Sequence, residues 1–133
     1  MTSSDGTRTP ISTSDAPAAI GPYSQAVKYE DVLYCSGQIP LNAAGEKSAF
    51  GSLAEQTTQC LQNLRAVCAA AGTDLGNAVR MTIYTTQLEG FAEINEAYGA
   101  FFADAPPARV TIGVASLPMG ASVEVDAVVG MGA

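Results

Sequence analysis

Arg109, Glu124 and Asp126 are charged side chains set inside apolar runs, a setting in which a charge can act on a bound ligand. Arg109 is one of three arginines beyond the first ten residues; it follows a double proline and opens a β-rich run. A guanidinium flanked by Ala108 and Val110 is not in the setting of a freely solvated charge, and its planar fork suits a carboxylate held by two hydrogen bonds. Two occupants fit that fork: a structural partner, Glu124 or Asp126, or a bound anion. Glu124 and Asp126 share one side of the last apolar run. They read either as edge charges facing solvent or as partly buried carboxylates, and a carboxylate near an arginine positions a water beside a small anion. If the last two strands form a hairpin, both carboxylates fall opposite residues 109–113. Tyr23 after Gly21-Pro22, Ser36-Gly37 at a strand end and Asn95 beside a helical apolar face are further candidates, each with an ordinary structural explanation as well. Glycine at position 37 would let a ligand approach the backbone.

The 133 residues hold no histidine, which removes the Ser-His-Asp triad, the Cys-His dyad and every His-ligated metal site. Acid–base work falls to carboxylates, Tyr, Lys, Cys or water. Six Lys and Arg against thirteen Asp and Glu give a net charge of −7, which argues against a nucleic-acid binder and against a polybasic membrane contact. Hydrophobic residues make up 47% and charged residues only 14%, so one domain with a full core is expected, and much of the surface is uncharged or covered, self-association being one way to cover it. Cys35, Cys60 and Cys68 form no Cys-x-x-Cys pair and read as buried small hydrophobes in a reducing cytoplasm. The polar N-terminus has no signal-peptide pattern and no apolar run reaches membrane-spanning length. A flexible tail is expected over residues 1–10 and a single domain over 11–133.

The elements that must position these residues follow from periodicity. Short strands are expected at 11–14, 23–29 and 32–39, the latter two as a hairpin around Glu30-Asp31. Ser52 and Glu55 form a capping-box pattern, and Leu53, Thr57, Cys60, Leu61, Leu64, Val67, Cys68 and Ala71 make one apolar stripe ending at Gly72. A strand at 79–85 precedes a second helix over 90–103 with Phe91, Ile94, Tyr98, Phe101 and Phe102 on one face. Strands at 109–115 and 121–129 close the chain. The order predicts an α+β domain: a mixed β-sheet with two helices on one face. The other face must then meet solvent or a partner.

Six segments carry a resemblance: Ala18-Ala-Ile-Gly-Pro-Tyr-Ser-Gln25, Ser36-Gly-Gln-Ile-Pro40, Asn95 before Tyr98-x-x-Phe-Phe102, Pro107-Ala-Arg-Val110, Leu117-Pro118 and Val123-Glu-Val-Asp-Ala127. In order and spacing they resemble the YjgF/YER057c (RidA) family over nearly the whole chain. The resemblance implies a chorismate mutase-like fold assembled as a trimer, with clefts between neighbouring subunits. It implies hydrolysis of reactive 2-imino or enamine acids, such as 2-iminopropanoate and 2-iminobutanoate, to 2-keto acids and ammonia, without metal or cofactor. Arg109 aligns with the arginine that holds the substrate carboxylate and Glu124 with the glutamate that positions water. Tyr23, Ser36, Gly37 and Asn95 align with cleft-lining positions. Thr111 stands where many members carry cysteine, and main-chain groups near Gly37 and Thr111 are expected to steady transient charge.

An imine carbon is already electrophilic, so a histidine-free site need only orient the substrate and place one water. Two other functions are weighed. A regulatory or chaperone-like protein binding a carboxylate ligand in the same cleft would need Arg109 but not Glu124. Ribonuclease activity is opposed by the acidic balance.

Overall fold

The last strand, β6 (Val123–Gly130), alternates along its whole length: Val123, Val125, Ala127 and Val129 are buried, while the residues between them are half-buried. That period of two marks a strand covered on one face only. The computed structural model describes residues 6–102 and 104–132. Its six-stranded sheet also contains β1 (Arg8–Ile11), β2 (Ala26–Tyr29), β3 (Val32–Gln38), β4 (Ala78–Thr85) and β5 (Ala108–Gly113), in the order β1-β2-β3-β6-β4-β5. Every pairing is antiparallel except β4 with β5, which is parallel. Parallel neighbours need a crossover, supplied here by the second helix.

Helix α1 (Leu53–Ala71) begins as its capping box requires. Ser52 Oγ accepts the Glu55 amide at 3.1 Å, and Glu55 Oε1 accepts the Ser52 amide at 2.9 Å. Gly72 ends it in the left-handed conformation, at φ 86°. The stripe of Leu53, Thr57, Cys60, Leu61, Leu64, Val67 and Cys68 is buried and packs across β6 and β3. Helix α2 (Phe91–Gly99) packs on α1, burying Ile94 and Tyr98. The opposite sheet face carries no helix, and Tyr34, Val110 and Ile112 are 50%, 42% and 41% exposed on it.

Four features differ most from those expected. The first strand is Arg8–Ile11 rather than 11–14, so Arg8, Thr9 and Pro10, expected in the tail, pair with β2. Residues 23–25 stay outside β2 because the Gln25 side chain serves the loop before it, accepting from Thr13 N at 2.7 Å and donating to Pro17 O at 2.8 Å. The second helix stops at Gly99, and bonds from Phe101 N to Tyr98 O and Phe102 N to Gly99 O tighten the chain past its end; Ala103 lies outside the described residues. The last two strands form no hairpin: β4 lies between β5 and β6, and residues 114–122 carry the chain past it.

Buried amides tie α1 to the loops on either side of the sheet end. Asn63, 2% exposed, donates to Leu41 O at 2.8 Å and Ile39 O at 3.3 Å. Gln56 accepts from Ser122 N at 2.8 Å and donates to Gly51 O at 3.2 Å. Asn63→Ala leaves the Leu41 carbonyl without its Asn63 donor and takes one of two donors from the Ile39 carbonyl, which keeps the Leu41 amide at 2.8 Å, so it is expected to lower unfolding free energy by about 1–3 kcal/mol. Urea denaturation with an unchanged m-value checks this.

Candidate functional site

Gly37 and Glu124 meet where β3 leaves its register with β6, between Cys35 and Gln38. The irregularity turns Ser36 and Gly37 toward a cleft of about 320 Å³ lined by Ile20, Tyr23, Ser36, Gly37, Ile39, Pro118 and Glu124. A Cβ at position 37 would overlap the Glu124 carboxylate, so glycine is what allows the acid to lie against the β3 backbone. Ser36 Oγ donates to Ser24 O at 2.6 Å, which pins the loop carrying Tyr23 to β3. The Tyr23 ring is 48% exposed, and its hydroxyl oxygen accepts the Ile20 amide at 3.2 Å, leaving its own proton for a ligand.

Burial, and then the negative charge of Asp126 two residues on, hold the Glu124 carboxyl above its ordinary value. Asp126 in turn accepts a hydrogen bond of 2.9 Å from the Tyr84 hydroxyl. A neighbouring cavity of about 440 Å³ shares Tyr23 but is lined by no charged side chain, and its Gln25 is already engaged by the loop backbone. Of these two cavities, only the smaller carries a charged side chain, Glu124.

Arg109, Thr111 and Asn95 form a second group elsewhere. On β5, Arg109 pairs with Met81 and Thr111 with Ile83, and both partners are completely buried under the helices. Register partners point the same way, so Arg109 and Thr111 face the helix side of the sheet. The Arg109 guanidinium lies 4.9 Å from the ring centre of Tyr98 and 5.7 Å from that of Phe91. Asn95 Oδ1, Tyr98 OH and Thr111 Oγ1 are buried there without hydrogen-bond partners among the described residues.

Tyr23, Ser36, Gly37 and Glu124 thus come together, as do Arg109, Asn95 and Thr111, but one chain does not join the two groups. Glu124 faces the uncovered side of the sheet, and β4 separates its strand from that of Arg109. An ion pair of Arg109 with Glu124 or Asp126 within one chain is excluded by this geometry. Tyr84, Phe91 and Tyr98 were not among the expected site residues. The spacing of Phe91, Asn95 and Tyr98, four and then three residues apart, is the signal that places them on one helical stripe. The three cysteines are free and buried, and burial pushes the Cys60 thiol up, so it is poorly suited to act as a nucleophile.

Comparison with known proteins agrees with this architecture. A family model described as Endoribonuclease L-PSP matches residues 13–131. The RutC family protein y4sK of Sinorhizobium fredii is 48% identical over 122 residues, 92% of this chain and 97% of the relative. The 2-iminobutanoate/2-iminopropanoate deaminase of Mus musculus is 42% identical over 118 residues, 89% of this chain and 87% of the relative. The crystal structure of E. coli TdcF with bound serine superposes with a TM-score of 0.86 at 36% identity, covering 92% of this chain and 98% of that one. These structural relatives share the chorismate mutase-like fold expected from the sequence. With the family match spanning nearly the whole domain, the chain belongs to the YjgF/RutC family of Endoribonuclease L-PSP-like proteins.

Proposed function

We propose that the protein hydrolyses 2-imino and enamine acids, 2-iminopropanoate and 2-iminobutanoate among them, to 2-keto acids and ammonia. The observation that carries this reading is the division of the site: a cation on β5 without a carboxylate partner among the described residues, and a perturbed glutamate in a cleft on the other face. A cleft between copies of the chain would unite them. The apolar, helix-free face carrying Val110 and Ile112 is the surface such copies would cover, and a homotrimer is the assembly we propose.

In that cleft Arg109 takes the substrate carboxylate through its fork. Glu124 orients a water toward the imine carbon, and the Tyr23 hydroxyl and the backbone at Gly37 line the approach. Water adds across C=N to give a carbinolamine, which expels ammonia and leaves the ketone. No covalent enzyme intermediate is needed, since the substrate is already electrophilic. Free, buried cysteines suit a cytoplasmic setting. The Mus musculus relative named for this activity supports the reading. Ribonuclease activity, which the family description names, is disfavoured by the net charge of −7 and by the acidic cleft.

The test is release of 2-keto acid from 2-iminobutanoate freshly generated by a pyridoxal-phosphate-dependent dehydratase. Arg109→Ala removes a charge-assisted fork, worth roughly 10²- to 10⁴-fold in rate, and Glu124→Gln is expected to fall comparably. Mixed and reassembled in equal amounts, the two inactive variants should regain about one quarter of wild-type activity, since half the sites draw an intact Arg109 and half of those an intact Glu124. No recovery would place both residues in one chain's site. Wild-type protein that binds 2-oxobutanoate but does not exceed spontaneous hydrolysis would favour the ligand-binding reading, in which Glu124→Gln keeps its affinity.

The pH dependence follows from Glu124. Burial and Asp126 both disfavour its ionised form, so the acid limb of kcat/KM should lie above the ordinary glutamate value of about 4.3. Asp126→Asn removes a negative neighbour, makes the Glu124 carboxylate easier to form, and should move that limb to lower pH. A pH–rate profile of the two proteins measures the displacement.

A further inference from the structure

We propose that Tyr98 and Phe91 form an aromatic clamp that positions the Arg109 guanidinium for a carboxylate, a role that rests on the reading of Arg109 given above. Phe91, Asn95 and Tyr98 lie along one stripe of α2, which sets Phe91 and Tyr98 against Arg109 of β5. Ring-centre distances of 4.9 Å to Tyr98 and 5.7 Å to Phe91 both fall within the roughly 6 Å reach of a cation–π contact. Among the described residues the Arg109 side chain makes no hydrogen bond and no ion pair, and the guanidinium rests against the two rings. A ring attracts the charge without taking a lone-pair hydrogen bond, so the N–H donors of the fork stay available.

Tyr98 is the inner jaw, 5% exposed, and Phe91 the outer, 40% exposed. The Tyr98 ring is itself fixed by Phe102, centroids 4.8 Å apart and tilted by 38°. Burial raises the Tyr98 hydroxyl, while the Arg109 charge pulls it the other way, as expected for a phenol beside a cation. Among the described residues that hydroxyl has no hydrogen-bond partner. The ring, then, and not the hydroxyl, is what position 98 offers to the arginine. Asn95 Oδ1 and Thr111 Oγ1, also without partners, stand on the same helix and strand as the clamp and its arginine.

The experiment titrates 2-oxobutanoate by NMR into wild type, Tyr98→Phe, Tyr98→Leu, Phe91→Leu, Arg109→Ala and the double variant Arg109→Ala/Tyr98→Leu. Tyr98→Phe keeps the ring and should bind within about 2-fold of wild type, whereas Tyr98→Leu should weaken binding by about 5- to 30-fold. Phe91→Leu, at the more exposed jaw, should lose about 2- to 5-fold, and it carries the test if Tyr98→Leu does not fold. In the Arg109→Ala background the Tyr98→Leu change should cause no further loss, because its effect passes through the arginine. Equal losses in both backgrounds, or wild-type affinity in Tyr98→Leu or in Phe91→Leu, would overturn the clamp. Wild-type affinity in Arg109→Ala would instead overturn the role of Arg109 itself.

Discussion

A pleated strand sends each side chain to one face or the other, and the strict alternation of β6 is the constraint on which this molecule depends. Val123, Val125, Ala127 and Val129 form the floor on which α1 lies. Glu124 and Asp126, in the intervening positions, are thereby turned to the side without helices. The parallel pairing of β4 with β5 carries the same logic to the sheet edge, where Arg109 follows Met81 to the helix side. The separation of the two charged groups is a consequence of register, and no local side-chain movement undoes it.

Polar groups set within the core give this arrangement its accuracy. Asn63 holds the carbonyls of Ile39 and Leu41, and Gln56 holds the amide of Ser122, two residues before Glu124. Gln25 ties the segment before Tyr23 to the start of β2. Each amide meets backbone groups that lie wholly or partly out of reach of water. Cleft walls made of loops are in this way referred to the rigid helix and sheet behind them.

Local chemistry made much of this legible in the sequence. The Ser52–Glu55 capping box, the α1 stripe and Gly72 depend on residues within a few turns of each other, and they appear as expected. The alternation of Glu124 and Asp126 with valines was equally plain. Strand order was not, because the insertion of β4 between β5 and β6 is decided by packing across the whole sheet. Arg8–Ile11 reads as polar tail in isolation and becomes a strand only when β2 offers it an edge. Tyr98 shows the limit most clearly: its spacing marks an apolar helix face, while its contact with Arg109 depends on a strand ten residues downstream. The pairing of site residues into two groups, rather than one, needed the three-dimensional register.

The glycine at position 37 has a consequence for how such a protein can change over generations. Glu124 rests against the β3 backbone, far from the rings that flank Arg109, and sites that share no partners respond almost independently to substitution. Within one chain the surroundings of Arg109 and those of Glu124 are therefore separately heritable traits. Drift around β5 and α2, including the threonine at position 111, can alter the setting of Arg109 while the wall formed by Gly37 and Glu124 is transmitted intact.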